Sequence, residues 1–192
     1  MKKYFIKDNY IAREKNEYFD ARNSKDEYQD FIYKKMKEFF VLHQLNSILD
    51  IGCGSAFKLV KYFKDFKITG IEVEPTLSFL KETYKQNEWY LSDFSKQLEK
   101  KFDFICAIDV IEHLLDPDEM LEFISRNCKT FIGLSTPDRD MLQCGKNGPP
   151  NNPFHIREWN YSEFNAYISS FFKIIIHEKT STGQQYIICE KK

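Results

Sequence analysis

Five short apolar runs, at 47–51, 68–73, 88–91, 102–108 and 129–135, alternate along the chain with stretches of helical spacing. No other feature restricts the fold as much. Strands interleaved with helices predict a mainly parallel sheet covered by helices on both faces. The run at 102–108 (FDFICAI) is nearly all apolar, as suits a strand buried on both sides. A helical pattern begins near Ser55 with Leu59, Val60 and Phe63, Pro75 opens another, and a third is expected from Pro117 to about Asn127.

The flanks read differently. Residues 1–45 are rich in charge and aromatics, with Phe31, Ile32, Met36, Phe39 and Phe40 at helical spacing, which predicts one or two amphipathic helices packed on the core. Residues 136–159 form a long segment rich in Pro, Gly and Asn, and a stretch of that length inside a compact domain predicts an ordered acceptor-side loop or lid. In 160–192 a short helix near 162–169 precedes two β-rich runs, 171–176 and 185–189, joined by a Thr/Ser/Gly turn, which implies one antiparallel edge strand. With 192 residues the chain suffices for one domain, with 46–135 as its cofactor-binding core.

Charge narrows the function classes. Lys and Arg number 28 against 29 Asp and Glu. That balance argues against a dedicated nucleic-acid binder, whose affinity comes mostly from phosphate contacts. Cys53, Cys106, Cys128, Cys144 and Cys189 are odd in number and include no C-x-x-C pair, which speaks against a zinc knuckle or disulfide framework. No apolar h-region or membrane-spanning stretch is visible, so a cytoplasmic location without membrane attachment is expected.

The chemistry starts at Asp50-Ile51-Gly52-Cys53-Gly54. A strand running into Gly-x-Gly and then a helix puts bare backbone and free N–H groups where a ligand can approach. A dinucleotide fingerprint wants a small residue at 57, and this chain has Phe57; a P-loop wants Gly-Lys-Ser/Thr, and Gly54 is followed by Ser55-Ala56-Phe57-Lys58. NAD and ATP both fit poorly. Glu72, about 20 residues past the glycines, stands where Rossmann-type sites hold ribose hydroxyls. Asp93, after the third strand, is placed to bind an exocyclic adenine amine.

Taken in order, the motifs resemble those of class I S-adenosylmethionine methyltransferases. Ile48 to Ser55 resembles their first motif and Gly70 to Pro75 their second-strand motif. Asp109-Val110-Ile111-Glu112-His113-Leu114-Leu115-Asp116-Pro117 resembles the signature after strand four in the branch of ubiquinone-type and surface-glycan sugar methyltransferases. The resemblance implies a Rossmann-like seven-stranded sheet whose final strand lies antiparallel between two others, with S-adenosylmethionine as cofactor. It places Asp50, Gly52, Cys53 and Gly54 at the methionine end, Glu72 and Val73 at the ribose, Ser92, Asp93 and Phe94 at the adenine, and Ala107 and Ile108 beneath the methionine portion. Glu72 departs from the commoner Asp and keeps its charge.

At the reacting end, His113 past the fourth strand and His155 in the lid are the candidate bases for a hydroxyl acceptor. Asp109, Glu112 and His113, if helical, share one face and form a speculative divalent-metal set. The string His155-Ile156-Arg157-Glu158-Trp159 resembles one in methyltransferases of surface-polysaccharide pathways, which implies a sugar or sugar-nucleotide acceptor, with Arg139 and Arg157 available for hydroxyls or phosphate. Alternatives are an N-methyltransferase on a small amine, for which an acidic or aromatic pocket is needed, and a metal-assisted RNA 2′-O-methyltransferase, for which Lys34, Lys35 and Lys37 should gather at the crevice. A non-enzymatic cofactor-binding regulator is a further alternative. If the N-terminal segment covers the site, Tyr10, Arg13 or Tyr18 should touch the cofactor carboxylate.

Overall fold

The first described element is a 3-10 turn at Lys3–Phe5, and the next is helix α1 (Asp30–Leu42). The structure, a computed structural model, describes residues 3–15, 17–23, 28–143 and 147–192. Cys144 and parts of the expected lid and N-terminal helical region lie outside the described residues. Among the described residues of 1–45, α1 is the α-helix that forms. Its Ile32, Met36 and Phe40 are fully buried at i, i+4, i+8 spacing, which is the stripe a helix lays against a sheet.

Then follow β1 (Ser47–Ile51), α2 (Phe57–Phe63), β2 (Lys67–Glu72), α3 (Thr76–Thr83), β3 (Glu88–Leu91) and β4 (Phe102–Ile108). Past a 3-10 turn at Ile111–His113 come α4 (Pro117–Asn127), β5 (Cys128–Pro137), the short α5 (Arg139–Gln143), α6 (Tyr161–Phe171), β6 (Lys173–Lys179) and β7 (Gln184–Glu190). Helix α2 starts two residues later than its apolar pattern suggests, because Gly54 and Ala56 both take left-handed φ angles of 55° and 54° and lengthen the turn. Pro75 stands at the N-cap of α3, just outside the helix. The starts of α4 and α6 are set by N-terminal caps. Asp116 accepts from the Asp118 N–H ahead of Pro117, and Asn160 with Glu163 forms a reciprocal capping box.

The strands form one seven-stranded sheet in the order β3-β2-β1-β4-β5-β7-β6. Strands β1 to β5 are parallel; β7 runs antiparallel to both β5 and β6. The antiparallel strand is therefore interior and β6 holds the edge, because the turn folds the chain back into the gap beside β5. Alternate residues feed two cores. Leu49, Ile105 and Ile187 point into the layer with α4 and α6, while Ile48, Phe104 and Ile188 face α1, α2 and α3. Strand order reverses between β1 and β4, and a crevice opens outside the carboxyl ends of strands at such a switch point.

Candidate functional site

The crevice at that switch point is a cavity of about 650 Å³. One wall is the turn after β1: Gly52, Cys53, Gly54, Ser55 and Lys58 line it, with Ile108 at the end of β4. Gly52 has φ of 66°, and a Cβ there would come within 2.7 Å of Val110 Cγ2, so both conformation and space demand glycine. The opposite wall comes from elsewhere in the chain. Glu112 and His113 descend from the turn after β4, Asn152, Phe154, His155 and Glu158 arrive from the lid, and Phe19, Tyr28 and Gln29 come from the N-terminal segment.

Asp50 lies one layer beneath the cavity, fully buried. Tyr33 on α1 donates its hydroxyl to Oδ2 at 2.7 Å, whereas Oδ1 has no hydrogen-bond partner. Burial pushes the carboxyl up to about 7, against the opposing pull of the Tyr33 and Cys106 hydrogen bonds. Glu72 accepts from the Gly54 N–H at 2.8 Å and from the Val73 N–H at 2.9 Å; burial raises its pKa. The Ser92 N–H donates to the Glu72 carbonyl at 3.0 Å. Asp93 and Phe94 line a second groove with Ser95, Gln97 and Arg126, where Asp93 accepts from the Ser95 hydroxyl and pairs with Lys96. The residues expected to hold one cofactor therefore fall in two places, with the glycine turn and Ile108 lining the cavity and Asp93 and Phe94 lining this groove. Val73 is exposed, and Ala107 is buried within β4.

The metal set expected at Asp109, Glu112 and His113 does not assemble. Asp109 takes a left-handed φ of 54°, so the three never share a helical face. Its carboxylate turns aside to accept from Ser135 Oγ at 2.6 Å, from Gln29 Nε2 at 3.2 Å and from Gln184. The ligand atoms that do come together are those of Glu112, His113 and His155, within 4.8 Å of one another.

The hydrogen bonds fix the state of these imidazoles. His113 donates from Nδ1 to the Phe154 carbonyl at 2.8 Å, leaving the Nε2 lone pair outward. Burial, then the neighbouring His155, lowers its pKa to about 4, so it is neutral near pH 7. In the lid, the Phe154 N–H donates to Asn152 Oδ1 at 3.0 Å, which orients the Asn152 carboxamide; its Nδ2 then donates to His155 Nε2 at 2.9 Å. His155 Nδ1 in turn donates to Glu158 Oε1 at 2.6 Å. Glu112 is fully buried; Thr136 donates to Oε2 at 3.1 Å, and Oε1, 4.0 Å from His155 Nε2, has no hydrogen-bond partner. Burial, reinforced by Asp109, holds the Glu112 carboxyl well above the usual range.

Several expected contacts fall elsewhere. Arg139 is fully buried, bonded to the Glu158 carbonyl at 2.9 Å and Glu163 at 2.7 Å, and Arg157 donates to the carbonyls of Leu114 and Leu115. Neither faces the cavity. Arg13 reaches the carbonyls of Pro150, Asn152 and His155, the Tyr10 hydroxyl accepts from the Glu158 N–H, and Tyr18 bonds Thr76 on α3. Those three strap the lid and α3, while Phe19, Ala21, Tyr28 and Gln29 from the same segment line the cavity. Lys34, Lys35 and Lys37 do not line it. Tyr33 and Gln184 carried no signal in the sequence, since their partners lie in other elements, and Glu158 was read only as part of the string 155–159.

A methyltransferase-domain family model matches residues 9–174. A comparison with curated proteins finds no match. Among solved structures, a SAM-dependent methyltransferase from Aquifex aeolicus superposes with a TM-score of 0.69 at 17% identity, over 91% of this chain and 100% of that one. One from Clostridium acetobutylicum gives 0.69 at 13% identity over 87% and 93%. Magnesium protoporphyrin IX methyltransferase from Synechocystis, solved with bound SAH, gives 0.67 at 13% identity over 86% and 84%. At such identities the superpositions speak to fold, and the family match extends over most of the sequence. The chain belongs to the methyltransferase-domain family.

Proposed function

We propose that this protein transfers the methyl group of S-adenosylmethionine to a small acceptor lodged in the cavity, with His155 taking the acceptor's proton. One observation carries the reading: His155 and the Gly52–Gly54 turn line the same cavity. S-adenosylmethionine, when bound, supplies an electrophilic methyl on a sulfonium. The residues present fit it. The orphaned Asp50 Oδ1 under the glycine turn offers a buried acceptor near the methionine ammonium, and Glu72, still with lone pairs beyond its two backbone bonds, suits a ribose diol. Asp93 and Phe94 would take the adenine.

His155 serves as base because Glu158 holds its Nδ1–H, which commits the lone pair to Nε2. Asn152 occupies that lone pair and is displaced when an acceptor enters. A sugar hydroxyl is an acceptor this base can serve. The phosphates of a sugar nucleotide find less support, since Arg139 and Arg157 are bonded to backbone and Glu163. A second reading is favoured by the Glu112, His113 and His155 cluster. One carboxylate and two imidazoles suit a divalent cation, which would acidify a bound hydroxyl, including an RNA 2′-hydroxyl.

The test is calorimetric titration of S-adenosylmethionine and S-adenosylhomocysteine into wild type, Asp50→Ala and Glu72→Ala. Micromolar binding lost in both variants is expected. A folded wild type that binds neither compound overturns the reading.

A further inference from the structure

The floor of the cavity is built to receive hydrogens. Glu112 Oε1 is buried, lines the cavity and has no hydrogen-bond partner. His113 Nε2 carries a lone pair because its Nδ1–H is given to Phe154. His155 Nε2 carries another, shared for the moment with Asn152. Asp109 and Glu158 also line the cavity, with their carboxylates engaged by Ser135, Gln29 and Gln184 and by His155. A hydroxyl brings a single hydrogen to such a floor, whereas a primary ammonium brings three and a compensating charge.

An ammonium and a metal ion ask for different spacings. Two ligands bound at about 2.1 Å to a tetrahedral or octahedral cation stand roughly 3.0–3.4 Å apart. Two acceptors bonded at about 2.9 Å to one tetrahedral nitrogen stand roughly 4.7 Å apart. Glu112 Oε1 and His155 Nε2 are 4.0 Å apart, and the three ligand atoms lie within 4.8 Å. The measured pair falls between the two spacings, so the floor must open by about 0.7 Å for an ammonium or close by about 0.6 Å for a metal. Above it Phe19, Tyr28 and Phe154 form an aromatic wall, with Phe19 and Phe154 edge to face at 5.3 Å. Phe19 and Tyr28 remain 52% and 46% exposed, apolar surface that a ligand body would cover. Aromatic faces also favour a cation beside them.

We infer that the acceptor is a primary amine on an apolar, ring-sized body, its ammonium seated among Glu112, His113 and His155. This rests on the methyl-transfer reading of the same cavity and names its substrate class. In the transfer the ammonium gives one proton to His155 Nε2. The freed nitrogen pair forms the N–C bond as the S–C bond breaks and its electrons return to sulfur. The product leaves as a secondary ammonium, and the His155 proton passes to solvent.

The probes are phenethylamine, its isostere 2-phenylethanol, and phenyl phosphate, titrated calorimetrically into chelator-treated protein without cofactor. Phenethylamine is expected to bind at least about tenfold more tightly than either analogue, the yield of one charge-assisted hydrogen bond. Glu112→Gln, checked for folding by circular dichroism, should reduce the amine to the level of the alcohol. Equal binding of amine and alcohol, or binding of the alcohol only when magnesium or manganese is added, overturns the inference; the wild-type comparison decides even if the variant misfolds. Loss of amine binding with S-adenosylmethionine still bound sinks the substrate class alone. Loss of S-adenosylmethionine binding sinks the methyl-transfer reading instead.

Discussion

Asp50 illustrates how a single buried carboxylate can set a pH dependence. Its carboxyl is pushed up to about 7 by burial, above the ordinary value of about 3.9. Because the folded state favours the protonated form, this group's contribution to stability is greatest below about pH 4. It is lost progressively as pH rises toward 7, a change on the order of 4 kcal/mol. A ligand ammonium reverses the preference, since it needs the ionised form. S-adenosylmethionine affinity is therefore expected to fall as pH drops below about 7 in wild type. Asp50→Asn should abolish this dependence, weaken binding and raise the melting temperature at pH 8 but not at pH 4. Titrations and thermal melts across pH 5–8 check both halves. A wild-type affinity that is flat in pH would show that Asp50 does not meet the ammonium.

At the scale of elements, the lid is held by strapping rather than by regular structure. The Arg13 guanidinium spans the carbonyls of Pro150, Asn152 and His155 at 2.7, 3.1 and 2.9 Å, and the Arg13 N–H donates to the Ile156 carbonyl. Hydrogen bonds from a charged donor contribute about 1.5–3 kcal/mol each where solvent is excluded and less at a rim such as this one. Arg13→Ala should cost roughly 1–2 kcal/mol by the same reasoning, with its effect concentrated on the lid. Amide exchange in residues 152–158 should accelerate while that of β1 and β4 is unchanged. A uniform acceleration across the sheet would instead mean that Arg13 supports the fold as a whole. Helices α4 and α6, by contrast, carry their own caps and should not respond.

For the whole molecule, the decisive event is the return of β7 into the gap between β5 and β6. Ile187 is fully buried in the α4–α6 layer, and Ile188 is nearly so on the other face. Ile187→Ala should destabilise the protein by about 2–5 kcal/mol, the usual cost of a large-to-small change in a packed core. The readout is a lower urea midpoint with an unchanged slope. The same strand carries Gln184, whose amide donates to Asp109. The C-terminal hairpin thereby braces the turn after β4, from which Glu112 and His113 reach the cavity.

The strand–helix alternation and the glycine turn were legible in the sequence because each is a local matter. Periodicity and backbone conformation act within a few residues. On that basis the parallel strands β1 to β5 could be read in order along the chain. The position of β7 was legible through family resemblance, whereas the turn alone suggested an edge. What only the tertiary structure decided is which side chains meet. Asp109 turned to Gln29, Ser135 and Gln184, and its place beside Glu112 and His113 went to His155, 42 residues beyond His113. Arg139 and Arg157 were drawn into ion pairing and backbone bonds, and of the N-terminal segment Phe19 and Tyr28 line the cavity while Tyr10, Arg13 and Tyr18 bond the lid and α3. Such encounters depend on loop paths and on satisfying buried polar groups across the whole fold, and no spacing along the chain encodes them.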